Sequence, residues 1–387
     1  MENFTYCTPT RLIFGKNAVE QLPQVLRPLG RRVLLTYGGG SIRKIGLYNE
    51  VKRLLADFEV WELSGIEPNP KYSTSVLEGV RLCKEHGIEA VLAVGGGSVL
   101  DCSKAICAGA LYDGEPWDLI IGRVKAERAL PLVDVLTLAA TGSEYDSGCV
   151  ISRTETNDKV GYLDPHLFPV ASLLDPRYTF SVSKKQTAAG AADAINHIME
   201  QYFCASHTEL ADGMCEAAIR SLIRNARIAL KEPDNYEARG EFMVDCSLAC
   251  NGILSIGNSP SGWPCHGMEH ALSAYYDITH GEGLAILTPR WMRHILNERT
   301  LPRFVSFGTH IFGIDASLPA EEIAEQTIRS TYALFESFGI PMHLRQVGID
   351  ESRLSEMAHH IAVNEGLEEA WAPLTEQDIL EILQASL

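Results

Sequence analysis

The feature that most constrains this chain is the regular alternation of short apolar runs with helix-like stretches in its first half. Residues 31–37 (RRVLLTY) and 89–97 (EAVLAVGGG) are rich in aliphatic and β-branched residues, and each leads into glycines. Residues 133–141 and 171–176 have the same character, whereas 99–111 (VLDCSKAICAGAL) is typical of a helix. Strands that alternate with helices pair in parallel, so this half predicts an α/β domain with a parallel sheet.

The pattern changes about halfway along the chain. From there on, apolar residues recur at helical spacing, as in residues 183–203. Ser183 and Gln186 have the spacing of a capping box, which predicts that a helix begins at this point. We therefore predict an α/β domain over residues 1–182 and an all-helical domain over residues 183–387.

The composition argues against several classes of protein. Fifty acidic residues against 33 basic ones give a net charge of −17, which disfavours nucleic-acid binding. No uncharged apolar stretch is long enough to span a membrane, and the first residues, MENFTYCTPTRLIFG, have no signal-peptide pattern. Ten cysteines without a CxxC pair are typical of free thiols in a reducing compartment. We expect a cytoplasmic protein.

Two glycine turns follow predicted strands. Glycines allow the backbone to approach a ligand closely, and the free N–H groups of a following helix favour an anion. A single turn of this kind is also consistent with a tight strand-to-helix connection without a ligand. Two turns, with threonines at the end of a third strand, predict a dinucleotide-binding, Rossmann-like sheet. The residues concerned are Gly38, Gly39, Gly40, Ser41, Gly96, Gly97, Ser98, Thr137 and Thr141.

The first glycine turn also bears on the choice of coenzyme. Sheets that bind NAD often carry an acid at the end of this strand, where it holds the ribose hydroxyls. Here that place holds glycine, and Arg43 and Lys44 follow. This pattern favours a 2′-phosphate, and hence NADP(H) over NAD(H). A solvated helix face explains the two cations equally well.

A set of histidines and one aspartate predicts a metal site. Asp193 and His197 are four residues apart, so they share one helical face. His266, His270 and His280 lie within fifteen positions of one another. One carboxylate and several imidazoles suit a divalent ion such as Fe(II) or Zn(II). The spacing alone does not decide which histidines bind the ion.

At this point the sequence resembles the iron-containing, metal-dependent alcohol dehydrogenases, and within them the NADPH-dependent butanol dehydrogenase and aldehyde reductase branch. The resemblance covers essentially the whole chain. It begins with FTYCTPTRLIFGKNAVEQLP and YGGGSIRKIGLYNEV and continues through GIEPNP, AVGGGSVLDCSK, TLAATGSE and LDPRYT. The most specific motifs are AADAINHIMEQY and HGMEHALSAYYDITHGEGLAIL. The fold it implies is that of dehydroquinate synthase.

The resemblance assigns roles to individual residues. It implies that Asp193, His197, His266 and His280 bind the metal and that His270 lies near the metal and the nicotinamide without binding the ion. His270 is four residues from a predicted ligand, and its imidazole suits a proton relay; support of the ligands or packing in the core are the alternatives. The implied coenzyme contacts, beyond the glycine turns and threonines above, are Asn69, Asp101, Leu138, Asp146, Lys159 and Tyr178. One of them departs from the family, which usually has asparagine where this chain has Asp146. A carboxylate there loses two donors and adds negative charge, so coenzyme affinity or pH dependence could differ.

The activity implied is hydride transfer between NADP(H) and a short- to medium-chain aldehyde or primary alcohol. The stretches around the metal motifs are apolar and contain almost no lysine or arginine, which favours a neutral substrate. This argues against a dehydroquinate-synthase-like lyase, whose acidic substrate needs cations. The third alternative is a non-catalytic nucleotide-binding protein. The stretch TRLIFG reads as a strand, and because such strands pair between subunits in this family, we expect a homodimer.

Overall fold

The structure, a computed structural model, describes the whole chain from Met1 to Leu387. The strands in chain order are β1 (Arg11–Phe14), β2 (Arg32–Tyr37), β3 (Glu59–Leu63), β4 (Ala90–Gly95), β5 (Leu132–Leu136), β6 (Gly148–Arg153), β7 (Asp158–Leu163) and β8 (Ala171–Leu174). The α-helices are α1 (Leu22–Leu26), α2 (Ser41–Lys44), α3 (Leu47–Leu54), α4 (Leu77–His86), α5 (Gly97–Ala110), α6 (Pro116–Ile120), α7 (Lys184–Tyr202), α8 (Glu209–Lys231), α9 (Tyr236–Ala249), α10 (Pro264–Tyr276), α11 (His280–Ile295), α12 (Leu301–Phe312), α13 (Ala320–Ser337), α14 (Leu354–Asn364) and α15 (Glu376–Ala385).

Six strands form one parallel sheet in the order β1–β8–β5–β4–β2–β3. Strands β2 and β4 are neighbours, but the chain continues from β2 to β3 on one side and from β4 to β5 on the other. The strand order therefore reverses between β2 and β4. In open α/β sheets, ligands bind beyond the carboxyl ends of the strands at such a point.

The four β-rich runs of the sequence correspond to β2, β4, β5 and β8, so the predicted α/β fold is confirmed. Strands β4 and β5 are buried along their whole length, which explains why they read as continuous apolar runs. The sequence pattern does not predict β3, an edge strand that carries Glu59 and Glu62. It also does not predict the antiparallel hairpin of β6 and β7.

Strand β1 lies at the edge of the sheet and pairs only with β8, with Arg11 opposite Ala171. The expected strand in TRLIFG is therefore present. Its second edge has no strand partner within the chain. Unpaired edges of this kind are templates for pairing with another chain. The homodimer itself stays a prediction.

No strand occurs after residue 174, so the second half is helical as predicted. Helix α7 begins where the capping residues predict, because the Ser183 hydroxyl accepts a hydrogen bond from the Gln186 N–H at 3.2 Å. From Thr187 to Tyr202 every residue of this helix is buried. Helix α7 is thus a central helix that packs against α8 and α11.

The chain forms two compact units. One contains residues 7–182 and 232–251, which include both sheets and α9. The other contains residues 1–6, 183–231 and 252–387, which are helical. The division of the sequence into domains 1–182 and 183–387 stays a prediction. Among the helices, none combines the length and the hydropathy needed to cross a membrane.

Candidate metal centre and coenzyme site

Helix α7 supplies the first two residues of the candidate metal centre. Asp193 and His197 lie one helical turn apart, and both are buried. His197 Nε2 is 3.5 Å from Asp193 Oδ1. The residues around them on α7 are mostly alanine and glycine, so neighbouring helices can approach the helix closely.

Two further helices bring histidines to the same carboxylate oxygen. His266 lies in the first turn of α10, and His280 is the first residue of α11. The Nε2 atoms of both rings lie 3.8 Å from Asp193 Oδ1. Gly281 makes this possible, since a Cβ there would lie 2.0 Å from the carbonyl oxygen of Ala189 on α7. Only glycine lets α11 approach α7 this closely.

The geometry of this group suits a divalent ion. Asp193, His266 and His280 each offer a ligand atom, and these atoms lie within 4.8 Å of one another. Asp193 Oδ1 and His266 Nε2 are buried and have no hydrogen-bond partner. Tetrahedral bonds of about 2.0–2.2 Å separate neighbouring ligand atoms by about 3.3–3.6 Å, close to the spacing seen here. His197 is not part of this three-residue group, but its Nε2 lies 3.5 Å from Asp193 Oδ1.

Two buried glutamates bond to the ring nitrogens of His266 and His280 that do not face Asp193. His266 Nδ1 bonds to Glu200 Oε2, and His280 Nδ1 bonds to Glu269 Oε2. Both glutamate side chains are 0% exposed. A carboxylate that accepts a hydrogen bond from Nδ1–H fixes the tautomer that leaves Nε2 free for a metal, and it makes the ligand more basic. The pairing on both rings is typical of metal-binding histidines.

The sequence-based prediction did not include these two glutamates. A signal was available, since Glu200 lies two helical turns after Asp193 and Glu269 lies one turn after His266. A buried carboxylate on the same helical face as a metal ligand is a candidate for this supporting role.

The electrostatics of the cluster favour a charged aspartate. Burial alone raises the pKa of Asp193, but the rings of His197, His266 and His280 outweigh it and hold that pKa below its usual range. Burial lowers the pKa of His197 to about 3, so this ring is neutral. Burial also opposes a charge on His266, but the Glu200 carboxylate outweighs it and raises the pKa of His266 to about 9. Metal binding at His266 therefore displaces a proton.

His270 lies beside the metal group. It is on α10, one turn after His266, and its ring stacks on that of His280 with centroids 6.0 Å apart. Its Nδ1 is buried without a hydrogen-bond partner and lies 3.6 Å from Glu365 Oε2. This carboxylate comes from a distant part of the sequence, which spacing arguments could not have indicated.

Trp263 is another neighbour that the sequence pattern did not single out. It precedes α10 with a φ of 50°, a conformation that is unusual for a bulky side chain. Its ring meets those of His197 and His266 edge to face, with centroids 5.9 and 5.2 Å apart. The indole thus forms an apolar wall beside two predicted ligands.

The two glycine turns follow β2 and β4, at the point where the strand order reverses. Gly96 and Gly97 are required by packing, because a Cβ would lie 2.9 Å from Leu138 Cβ at Gly96 and 2.5 Å from Thr141 Oγ1 at Gly97. A Cβ at Gly39 or Gly40 would meet nothing within 4 Å. Open space at the first turn is consistent with a ligand that approaches the backbone there.

The remaining predicted contacts fall into two groups, of which the first lies near the carboxyl ends of β4 and β5. Thr137 directly follows β5, and its N–H donates to Gly95 O at 2.8 Å. Ser98 is in the first turn of α5. Asp101, one turn later, is engaged within the protein, since its two oxygens accept from the Ser143 hydroxyl at 2.7 Å and the Val150 N–H at 2.9 Å. Its contact with a coenzyme stays a prediction.

Four other residues lie elsewhere in the α/β unit. Asn69 has a φ of 48° in the loop after β3, and Lys159 is a buried residue of β7. The Tyr178 hydroxyl donates to Glu50 Oε2 at 3.1 Å. Lys44 is exposed on α2. These placements leave the predicted coenzyme contacts as predictions.

The structure shows how the chain accommodates Asp146. Asp146 Oδ1 accepts a hydrogen bond from Lys104 Nζ at 2.7 Å, and the lysine side chain is completely buried. Lys104 also donates to the carbonyl oxygens of Asp146 and Gly148. The negative charge that Asp146 adds, relative to the asparagine usual in the family, is therefore paired with a buried cation. The sequence analysis did not predict this pairing.

Two family models match the chain. The profile of the iron-containing alcohol dehydrogenases matches residues 9–176, and that of the C-terminal part of the Fe-containing alcohol dehydrogenase family matches residues 187–387. The chain belongs to the iron-containing alcohol dehydrogenase family. This confirms the resemblance found in the sequence.

Three similar proteins from this family indicate the class of reaction. NADH-dependent butanol dehydrogenase A of Clostridium acetobutylicum is 46% identical over 390 residues, which cover 100% of both chains. NADPH-dependent aldehyde reductase YqhD of Escherichia coli is 38% identical over 359 residues, 92% of this chain and 91% of the reductase. The crystal structure of NADH-dependent butanol dehydrogenase A from Thermotoga maritima has a TM-score of 0.95 at 38% identity and covers 100% of this chain and 99% of the other. The dehydrogenase is thus an alcohol and aldehyde oxidoreductase.

Proposed function

We propose that this dehydrogenase transfers a hydride between NADP(H) and a short- to medium-chain aldehyde or primary alcohol, with the help of one divalent metal ion. One observation carries the proposal. The ligand atoms of Asp193, His266 and His280 lie within 4.8 Å of one another, and a buried carboxylate bonds to Nδ1 of each histidine. Membership of the iron-containing alcohol dehydrogenase family supplies the reaction class.

The proposed ligands are Asp193, His197, His266 and His280, and the proposed ion is Fe(II) or Zn(II). When bound, the ion supplies Lewis acidity toward a carbonyl oxygen and the nicotinamide supplies the hydride. Glu200 and Glu269 hold the rings of His266 and His280 in the orientation that points Nε2 toward Asp193. One carboxylate among three neutral rings also keeps the charge of the ligand set low.

His270 is the proposed proton relay. Reduction of an aldehyde leaves an oxygen that must gain a proton, and an imidazole titrates near neutral pH. The ring lies next to His280, and its Nδ1 lacks a hydrogen-bond partner but faces Glu365 at 3.6 Å. A small rotation would let Nδ1 bond to Glu365, which leaves Nε2 to hold or deliver the proton.

The proposed substrate is neutral. Residues 190–202 of α7 and 264–276 of α10 are mostly small or apolar and include no lysine or arginine, and Trp263 adds an aromatic wall. A lyase acting on an acidic substrate would need a cluster of cations there, which the sequence around the ligands does not provide. The names of the relatives, butanol dehydrogenase and aldehyde reductase, support the same class of substrate.

The proposed coenzyme preference is for NADP(H). Residues 38–40 carry no acid that would repel a 2′-phosphate, and Arg43 and Lys44 follow. The relatives divide on this point, since the butanol dehydrogenases are named for NADH and the aldehyde reductase for NADPH. The ratio of kcat/KM with NADPH to kcat/KM with NADH, measured on this chain, tests the preference.

A homodimer is proposed from the unpaired edge of β1. Phe14 at the end of this strand is a large apolar residue that is 47% exposed, which is consistent with a covered edge in the assembled enzyme. A mass of one chain in light scattering over a wide concentration range would contradict the dimer.

The experiment that tests the function is a panel of initial rates. The purified enzyme, loaded with Fe(II) or Zn(II), is given unbranched aldehydes of two to eight carbons with NADPH or NADH. The proposal requires turnover that depends on metal and is higher in kcat/KM with NADPH. Metal bound in stoichiometric amount without turnover on any aldehyde or alcohol would instead support a non-catalytic protein.

A further inference from the structure

The side chains next to the first glycine turn form a charged group that we call the Glu62 cluster (Tyr37, Arg43, Tyr48, Lys52 and Glu62). Glu62 Oε2 accepts from the Tyr37 hydroxyl at 2.9 Å. Its Oε1 accepts from the Tyr48 hydroxyl at 3.0 Å and from Lys52 Nζ at 2.9 Å. Three donors therefore fix the position of this carboxylate.

Arg43 is the more exposed of the two cations in the cluster. Its Nη2 donates to the Tyr37 hydroxyl at 2.5 Å, and its guanidinium carbon lies 3.7 Å from the centre of the Tyr48 ring. The distance from Nη2 to Glu62 Oε2 is 3.8 Å, too long for a hydrogen bond. The Arg43 side chain is also 51% exposed. The guanidinium is therefore attracted to Glu62 without bonding to it, and about half of the side chain is open to solvent.

The cluster lies where the adenosine end of a dinucleotide is proposed to bind. Tyr37 is the last residue of β2, and Gly38 follows it directly. Arg43 is in α2, which begins as the glycine turn ends. The cluster holds two cations and one carboxylate, so one positive charge is in excess. That excess favours a 2′-phosphate, while Glu62 opposes it.

We propose that Glu62 sets the coenzyme selectivity of the enzyme, because its carboxylate competes with the 2′-phosphate of NADP(H) for Arg43. The inference rests on the proposed function in that it requires the adenosine ribose to bind at Gly38–Ser41. With NAD(H), Arg43 stays stacked on Tyr48 beside Glu62. With NADP(H), its guanidinium pairs with the phosphate, and the loss of attraction to Glu62 lowers the net affinity.

The test is the binding of two fragments to the purified full-length protein by calorimetry, namely 5′-AMP and 2′,5′-ADP. They differ by the 2′-phosphate, and neither requires metal or substrate. In Arg43→Gln, the preference for 2′,5′-ADP over 5′-AMP should fall about tenfold or more, the size of a charged hydrogen bond. In Glu62→Gln, it should rise about two- to fivefold, the size of a surface charge pair.

A double-mutant cycle isolates the pair. In the Arg43→Gln background, Glu62→Gln should leave the preference unchanged. Glu59→Gln is the matched control, since Glu59 is an exposed glutamate of the same strand whose replacement changes the net charge equally. It should have no effect in either background.

Each result decides the question. An equal gain from Glu62→Gln with and without Arg43 would reduce the effect to general electrostatics and overturn the proposed competition. No gain in the wild-type background would overturn it as well. If Glu62→Gln does not fold, unchanged selectivity in the exposed variant Arg43→Gln still refutes the role of Arg43. Failure of the wild-type protein to bind either fragment would refute the proposed coenzyme site itself, and with it this inference.

Discussion

Lys104 and Asp146 form an ion pair inside the α/β unit, with Lys104 Nζ 2.7 Å from Asp146 Oδ1 and the lysine side chain 0% exposed. Lys104 is on α5, the helix that begins at the second glycine turn. Asp146 is in the segment that follows β5. The pair therefore joins two of the segments that are proposed to hold the coenzyme. A buried charge needs a partner of this kind, since desolvation is expensive.

Removal of either partner should destabilise the protein, but unequally. Asp146→Asn keeps an acceptor for Lys104 and should lower the free energy of unfolding by about 1–3 kcal/mol. Lys104→Met leaves Asp146 and the nearby Asp101 without a cation, and it should cost about 3–5 kcal/mol. Urea unfolding measures both. A larger loss for Asp146→Asn than for Lys104→Met would show that Lys104 does not neutralise the buried carboxylates.

Glu200 and Glu269 should tune metal affinity without binding the ion. Each carboxylate accepts a bond from Nδ1 of a predicted ligand. Glu200→Gln and Glu269→Gln should each weaken the metal affinity about 10- to 100-fold, because the ring loses its fixed tautomer and part of its basicity. Competition with a chelator of known affinity gives the value.

Glu216→Gln provides the control for this experiment. Glu216 Oε1 bonds to Nδ1 of His310 at 2.6 Å, so it is also a glutamate paired with a histidine, but His310 is not a predicted ligand. Metal affinity should be unaffected in this variant. A comparable loss there would indicate a general effect of charge on the protein.

The histidines should separate into ligands and relay. His266→Ala and His280→Ala each remove a predicted ligand, so metal content and turnover should both collapse. His270→Ala should retain the metal and slow turnover about 10²- to 10⁴-fold, the range of general acid–base catalysis, with a changed pH–rate profile. Metal analysis of the purified variants distinguishes the roles. Loss of metal in His270→Ala together with retention in His266→Ala would reverse the assignment.

The sequence predicted those parts of the molecule that depend on local pattern. The buried strands β4 and β5 and the capped start of α7 follow from apolar runs and from Ser183. The sequence did not predict strand β3, because an edge strand that carries Glu59 and Glu62 does not need an apolar pattern. The capped start of α7 and the apolar runs can be read from neighbouring residues, whereas the edge position of β3 depends on the order of the sheet.

The candidate site was accessible to sequence reasoning only in part. Asp193 and His197 share a face by spacing alone, whereas the meeting of α10 and α11 with α7 depends on packing at Gly281. The proximity of Glu365 to His270 joins segments almost a hundred residues apart, and no periodicity encodes it. The pairing of Lys104 with Asp146 is of the same non-local kind.

Coenzyme preference should respond to an acid in the first glycine turn. The backbone at Gly39 accepts a side chain, because a Cβ there meets nothing within 4 Å and the position does not have a positive φ, so we expect Gly39→Asp to fold. The carboxylate should repel a 2′-phosphate and accept bonds from ribose hydroxyls, so the ratio of kcat/KM for NADPH to that for NADH should fall about tenfold or more.

Gly213→Asp controls for added charge, since it is an exposed helical position where a Cβ also meets nothing within 4 Å. The ratio of kcat/KM for NADPH to that for NADH in Gly213→Asp should match the ratio of the wild-type enzyme. Equal or better kcat/KM with NADH in the wild-type enzyme would contradict the proposed preference before any variant is made.

Glu144 should make stability depend on pH near neutrality. Burial raises the pKa of Glu144 from 4.5 to about 7, even though the Ser247 hydroxyl bonds to it at 2.5 Å. The folded state therefore binds this proton more tightly than the unfolded state does. The stability that the proton contributes is complete below about pH 4.5 and is lost as the pH rises through about 7. Between pH 6 and pH 8 the loss should be about 1 kcal/mol.

Glu144→Gln keeps the acceptor for Ser247 and removes the titration. The free energy of unfolding of the variant should fall by about 1 kcal/mol less than that of the wild type between pH 6 and pH 8. Glu241→Gln, at an exposed position of α9, should behave like the wild type. Urea unfolding at both pH values gives the difference. The same pH dependence in Glu144→Gln and wild type would mean that Glu144 is already ionised at pH 6, and that its burial is offset by neighbours such as Lys104 more fully than the geometry indicates.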